Sequence, residues 1–153
     1  MLKLLAGFGS SVCEVDTPDY FLETPADAYL KSLKRDFNCN IIRATTLNMM
    51  LVELGISPQD VPPVTPKNYF DWVIIEGSFD ERKGRIEDAK RIYSFLEEEI
   101  MDGRIGFRMF ARDKYEIELA ESAGIQSIGW REMGKMMDFN RQLADEASGF
   151  WRR

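Results

Sequence analysis

The chain has 153 residues, of which 44% are hydrophobic and 30% charged, with a net charge of −6 and no histidine. This composition is typical of one globular domain rather than of a disordered or membrane-spanning chain. Because acidic and basic residues are interspersed, the basic stripe needed for non-specific nucleic-acid binding is excluded. The missing imidazole excludes Ser-His-Asp and Cys-His catalysis within the chain.

Five short apolar runs, typical of strands buried on both faces, occur in chain order at residues 2–8, 41–44, 72–75, 105–110 and 125–130. Five helical patterns follow these runs in turn, at residues 25–37, 47–54, 86–100, 113–124 and 132–147. Thr24 and Asp113 are predicted to cap two of the helices, Thr45 or Thr46 a third, and Gly55 is predicted to end that third helix. The chain is therefore predicted to be a single α/β domain over residues 1–153.

Strands that alternate with helices through short connections imply a parallel sheet with helices on both faces. Five such units suit a doubly wound sheet of the flavodoxin-like order 2-1-3-4-5. In sheets of this kind, ligands bind outside the carboxyl ends of the strands, near the switch point between strands 1 and 3. We therefore expect the site in the segments that follow the strands, at residues 7–19, 45–48, 76–80, 111–113 and 129–132.

The two cysteines and the N-terminal residues bear on the cellular compartment. Cys13 follows the first predicted strand and Cys39 precedes the second, so parallel pairing would keep them at opposite ends of the sheet. We expect two free thiols, as in a reducing compartment. The apolar residues 1–7 are too few for a signal-peptide core, and no run is long enough to span a bilayer. The sequence thus predicts a cytoplasmic protein without membrane contact.

The segments after the strands supply the candidate ligand-binding residues. Residues 7–11 would present backbone N–H groups to an anion, or their glycines would only allow a tight exit from a buried strand. Glu76, Asp80 and Asp113 could hold Mg²⁺, but Asp113 is equally well explained as a helix cap, and we predict no metal and no cofactor. The full set predicted to line a ligand crevice is Gly9, Ser10, Ser11, Thr45, Asn48, Glu76, Gly77, Ser78, Asp113 and Trp130.

Two short motifs resemble a known family. Gly9-Ser10-Ser11 after the first strand, and Glu76-Gly77-Ser78-Phe79-Asp80 after the third, are similar to the first and third blocks of SGNH/GDSL-type hydrolases. The resemblance implies a catalytic Ser11 as nucleophile, with Gly77 and Asp80 flanking the oxyanion position. Phe79 stands where the family has its oxyanion asparagine, and the family's histidine is missing. The resemblance therefore implies the fold without the family's usual esterase mechanism.

Apolar side chains near the C-terminus predict a surface for a partner protein or a second copy of the chain. Met136 and Met137 are adjacent in the last predicted helix and cannot both face inward. Phe150 and Trp151 lie in a tail, residues 148–153, that either folds back or meets a partner. These four residues form the predicted partner surface.

The sequence favours a non-catalytic or weakly catalytic binding domain, because the fold is well specified while no complete catalytic set can be assembled. It would bind a small molecule in the crevice or a protein at the C-terminal surface, and neither nucleic acid nor a membrane. Two alternatives stay open. One is an SGNH-like acyl-ester hydrolase or transferase in which another group replaces histidine, and the other is an inhibitor protein of a phage or mobile element.

Overall fold

The computed structural model describes residues 1–9, 25–77 and 86–148. In this part of the chain the elements are β1 (Leu2–Gly7), α1 (Pro25–Asp36), β2 (Cys39–Ala44), α2 (Leu47–Leu54), β3 (Trp72–Glu76), α3 (Glu87–Met101), β4 (Gly106–Ala111), α4 (Lys114–Ser122), β5 (Ser127–Gly129) and α5 (Met133–Ala147). The strands form one parallel five-stranded sheet in the order β2-β1-β3-β4-β5. The predicted fold class and strand order are confirmed.

Both faces of the sheet are covered by helices. Leu5, Val73 and Ile75 belong to one apolar cluster with residues of α2, α3 and α4. Ile74 and Phe110 belong to the second cluster, on the opposite face, with residues of α1 and α5. Because neighbouring residues of a strand point to opposite faces, a strand buried on both faces reads as a continuous apolar run. This burial explains why the central strands could be recognised in the sequence.

Local side-chain chemistry sets several helix ends. The Thr46 hydroxyl accepts the N–H of Met49 at 3.1 Å and so caps α2. Asp113 caps α4 in the same way, since its Oδ1 accepts the N–H of Glu116 at 2.9 Å. Gly55 ends α2 in the left-handed conformation, with φ 71°, which glycine adopts without steric cost. These caps confirm the predicted ends.

β2 and β5 differ from their predicted starts by two residues, whereas β1, β3 and β4 differ by one residue at one or both ends. β2 begins at Cys39, which pairs with Leu2, so the strand includes two residues before the apolar run. β5 is shorter than predicted and begins at Ser127. Ile125 is buried, but its N–H donates to the carbonyl of Ala120 at 2.8 Å in the turn that leaves α4. Its burial therefore comes from that turn rather than from the strand.

Cys39 is a free thiol whose pKa is raised by burial, and Cys13 lies outside the described residues. None of the helices described here is long and apolar enough to cross a membrane.

Candidate functional site

Three charged side chains meet around Gly9, directly beyond the end of β1. Arg43, from β2, pairs with Asp27 in the first turn of α1 and also donates from Nη2 to the carbonyl oxygen of Gly9. Glu76 is the last residue of β3, and its Oε1 accepts the N–H of Gly9 at 2.9 Å. We refer to Gly9, Asp27, Arg43 and Glu76 as the Gly9 cluster.

The topology of the sheet explains why these residues meet. β1 lies between β2 and β3, and Gly7 pairs with Ala44 on one side and with Ile75 on the other. The chain leaves β1 toward β2 and leaves β3 toward β4, so the two connections diverge at this point. A doubly wound sheet has its ligand crevice where connections diverge in this way. The Gly9 cluster is therefore at the predicted switch point.

Opposing effects act on the carboxyl group of Glu76. Burial has the largest effect and raises its pKa, and the negative charges of Asp27 and Glu116 raise it further. The Gly9 N–H and the Arg43 guanidinium act in the opposite direction, but the pKa remains above its ordinary value. A carboxyl with a raised pKa beside a specific cation at a strand end is a typical candidate for a functional group.

The guanidinium of Arg43 is partly buried, with 26% of its side chain exposed. Its two terminal nitrogens are bonded to Asp27 and Gly9, whereas its buried Nε has no hydrogen-bond partner among the described residues. Since a buried donor without a partner costs free energy, this N–H is an unsatisfied polar group of the cluster.

A similar contact is found at the end of β5, in a more exposed setting. Glu132 Oε1 accepts the N–H of Gly129 at 2.8 Å, and Lys135 Nζ lies 3.1 Å from its other oxygen. The hydrogen bond from Gly129 is the largest influence and lowers the pKa of Glu132. Thus two glutamates with the same kind of backbone contact have opposite pKa shifts, because only Glu76 is strongly desolvated.

We expect Glu76→Gln and Glu132→Gln to change the pH dependence of stability in opposite directions. The pKa of Glu76 is raised in the folded chain, so wild-type stability falls as pH rises from the ordinary glutamate pKa through the folded value. Glutamine at position 76 does not ionise, so the free energy of unfolding of this variant should rise relative to that of the wild type over that range. The pKa of Glu132 is lowered on folding, so its stabilisation is lost as pH falls through the folded value, and Glu132→Gln should lose most at neutral pH.

Urea unfolding of both variants from about pH 3 to about pH 8 would measure these differences, with a limiting slope of about 1.4 kcal/mol per pH unit for one proton. If the differences between each variant and the wild type in free energy of unfolding changed with pH in the same direction, the electrostatic account of Glu76 would be wrong.

Four other residues that were predicted to line the crevice are not members of the Gly9 cluster. Thr45 is partly buried after β2, and Asn48 is exposed in the first turn of α2. Gly77 donates its N–H to the carbonyl of Phe110 at 3.0 Å, and a Cβ at this glycine would lie 2.9 Å from Ile86. Asp113 is the cap of α4, as its structural interpretation predicted.

An aromatic cluster adjoins the Gly9 cluster along the chain. Trp130, which follows β5, stacks on Phe110 with ring centroids 4.5 Å apart. Phe8 and Tyr29 also contact Trp130, each with centroids 5.9 Å apart. Phe8 directly precedes Gly9, and Tyr29 lies two residues after Asp27. The partly exposed Trp130 therefore offers an aromatic surface at the same end of the sheet.

The remaining predicted site residues either lie outside the described residues or differ in exposure. Ser10, Ser11, Ser78, Asp80, Phe150 and Trp151 lie outside the described residues. Met136 is buried in the cluster between the sheet and α5, at 7% exposure, whereas Met137 is 58% exposed. Of these two methionines, only Met137 is therefore available on the surface. Within the described ranges, no group of three or more acidic or cysteine side chains is placed to hold a metal.

Two members of the Gly9 cluster, Asp27 and Arg43, were not among the predicted site residues. Arg43 gives a usable signal, because it is a single charge within the otherwise apolar run of residues 41–44. Asp27 gives a weaker signal, since an acidic residue in the first turn of a helix is common for reasons of helix stability alone.

The Gly9 cluster is identified as a candidate site from its geometry alone, because comparisons with known proteins give no further information about it. The SGNH/GDSL resemblance accordingly stays a prediction. A scan against protein-family models and searches of curated proteins and of solved structures gave no match to this chain.

Proposed function

We propose that this chain is a binding domain for a small neutral or cationic molecule that donates hydrogen bonds to the Gly9 cluster. The observation that carries the proposal is the meeting of two carboxylates, Asp27 and Glu76, with one guanidinium at the switch point. Carboxylates accept hydrogen bonds from hydroxyl, amide and ammonium groups. They outnumber the guanidinium here, so the local charge disfavours an anionic ligand.

The hydrogen bond of Gly9 supports the same ligand class. An anion bound by the glycines after β1 would need their free N–H groups. The N–H of Gly9 already donates to Glu76, which acts as an internal anion at this position.

The aromatic cluster suggests that the ligand also has a planar apolar part. Small-molecule sites are lined mainly by apolar and aromatic side chains, with a few polar groups that fix orientation. Trp130 is partly exposed and one face of its ring stacks on Phe110, so a ring of the ligand would pack on the exposed part without rearrangement of the core. A nucleoside or an aromatic amine combines such a ring with hydrogen-bond donors.

We expect adenosine and tryptamine to raise the Tm of the wild-type protein, and AMP and citrate to raise it less or not at all. A ligand at 100 times its Kd stabilises the folded state by about 2.7 kcal/mol, which corresponds to several degrees in Tm. Glu76→Gln should weaken the response to adenosine and tryptamine, because the amide is a poorer acceptor than the carboxylate. Glu97→Gln, at an exposed position of α3, is the matched control and should respond as the wild type does.

A response to AMP and citrate alone, an unchanged response in Glu76→Gln, or no response to any of the four compounds would contradict the proposed ligand class. Native mass spectrometry of the same samples would show whether each Tm shift comes from a bound small molecule.

The hydrolase alternative is favoured by one observation. In a chain without histidine, the carboxyl of Glu76 has the raised pKa that a general base needs. Covalent labelling of the wild type by a fluorophosphonate, lost in Ser11→Ala, would favour this alternative over the non-catalytic binding domain.

A further inference from the structure

A cavity of about 650 Å³ lies at the end of the sheet opposite to the Gly9 cluster, where β3 and β4 begin. The residues that line it include the partly exposed Tyr93, the nearly buried Trp72 and Phe107, and the polar residues Arg108, Gln142 and Glu146. A neighbouring cavity of about 480 Å³ shares Arg108 and Gln142. The larger volume is within the usual range for small-molecule sites, which is about 300–1,000 Å³.

The guanidinium of Arg108 is held between rings in this region. It lies over the ring of Trp72 at 5.2 Å and over that of Phe139 at 5.4 Å. Burial lowers the pKa of Arg108, whereas the charge of Glu146 raises it. Such an arginine has given up much of its hydration, while its hydrogen bonds go to the carbonyl of Phe107 and to Gln142 rather than to a carboxylate.

Most of the donors of Arg108 have capacity for a further partner. Nη1 donates to the carbonyl of Phe107 at 2.9 Å, and Nη2 reaches Gln142 at the long distance of 3.5 Å. A guanidinium has five N–H donors arranged as a planar fork that matches a carboxylate. Within the described part of the chain, this fork is therefore incompletely used.

The helix ends around the cavity limit the charge of an occupant. Residues from the C-terminal ends of α3 and α5 contribute to the walls, and so does Gly124, two residues after the end of α4. The C-terminal end of a helix carries a partial negative charge, which repels anions. One negative charge can be compensated by Arg108, but further charges would face the helix ends and Glu146.

We propose that this cavity is a second binding site, in which Arg108 pairs with the carboxylate of a planar aromatic monocarboxylic acid. The ring of the ligand would pack against the partly exposed Tyr93 and the exposed Met101, and Gln142 would complete the polar wall. The site is separate from the Gly9 cluster and does not depend on the function proposed for it.

The test uses 2-naphthoate as the probe and compares it with neutral 2-naphthamide and dianionic naphthalene-2,6-dicarboxylate. We expect titration of the full chain, followed by NMR, to give saturable binding of 2-naphthoate and at least about tenfold weaker binding of the other two compounds. Arg108→Gln should weaken 2-naphthoate binding at least about tenfold, and Arg108→Lys by an intermediate factor, because lysine keeps the charge and loses the fork.

Arg35→Gln, on the exposed surface of α1, is the control and should bind as the wild type does. The amide resonances of Gly103, Gly106 and Gly124, which line the cavity, should shift on titration, while those of Gly9 and Gly77 should not. These resonances also report whether each variant is folded.

Three results would overturn the proposal. They are an affinity for 2-naphthoate that does not change in a folded Arg108→Gln variant, shifts confined to Gly9 and Gly77, and no saturable binding below about 1 mM.

Discussion

Replacing Phe110 with alanine is expected to lower the free energy of unfolding by about 3–5 kcal/mol, the usual cost of removing a fully buried phenylalanine ring. Phe110 is 1% exposed, and its ring centroid lies 4.5 Å from that of Trp130, 5.0 Å from that of Tyr29 and 5.8 Å from that of Phe8. These neighbours come from separate elements and are held by their own contacts. They can therefore collapse only partly into the space that the ring leaves.

Urea unfolding monitored by circular dichroism would measure this loss. Phe110→Leu keeps most of the apolar volume and should cost about 1.5 kcal/mol or less. Met133→Ala removes a large apolar side chain that is 63% exposed, and it should change stability by about 0.5 kcal/mol or less. A cost for Phe110→Ala as small as that for Phe110→Leu would mean that the aromatic cluster repacks freely.

The order of the sheet could be predicted because the central strands are apolar on both faces and because strands alternate with helices along the chain. Right-handed crossovers then leave few arrangements. Helix ends at Thr46, Gly55 and Asp113 could also be predicted, since each depends on a contact within three or four residues of the chain. The bounds of β5 could not, because the burial of Ile125 looks the same in a sequence whether a strand or a turn causes it.

The candidate site was only partly predictable for a related reason. Glu76 was found because its position at the end of a strand can be read from the sequence alone. The contact between Arg43 and Asp27 joins residues 16 positions apart and depends on how α1 returns over the sheet. Spacing within one element carries no information about such a contact.

Trp72 shows that the sequence also does not reveal at which end of the sheet a residue will line a cavity. It lies at the start of an apolar run, where a tryptophan closes the core or lines a pocket. It is the first residue of β3, so it lines the cavity at the amino ends and is remote from the end where Glu76 lies. Composition does not distinguish the two ends of a short apolar run, whereas a ligand crevice depends on that distinction.

Gly106→Ala is expected to lower the free energy of unfolding by about 1–3 kcal/mol, because it adds a methyl group to a position with no space for it. A Cβ at Gly106 would lie 2.4 Å from Cδ2 of Trp72 and 2.5 Å from its Cε3. The indole ring is rigid, its Nε1 donates to Glu146 at 2.5 Å, and it packs against Phe139 with centroids 5.1 Å apart. The ring cannot move aside without loss of these contacts.

Gly7→Ala is the matched comparison, since it places a methyl group in another strand of the same sheet. Its Cβ would lie 2.4 Å from Sδ of Met50, at the flexible part of a side chain, although Ile75 is also close, at 3.0 Å. We expect it to cost less than Gly106→Ala in urea unfolding.

A double-mutant cycle identifies the cause of the Gly106→Ala effect. Trp72→Val removes the whole ring that the new methyl group would strike, so the double variant should be more stable than the sum of the single effects by about 0.5–3 kcal/mol. If the two effects simply added, the steric contact with Trp72 would not be the cause. Because Gly106 and Trp72 both line the cavity, a favourable coupling would also show that the missing side chain at position 106 lets this indole form the cavity wall.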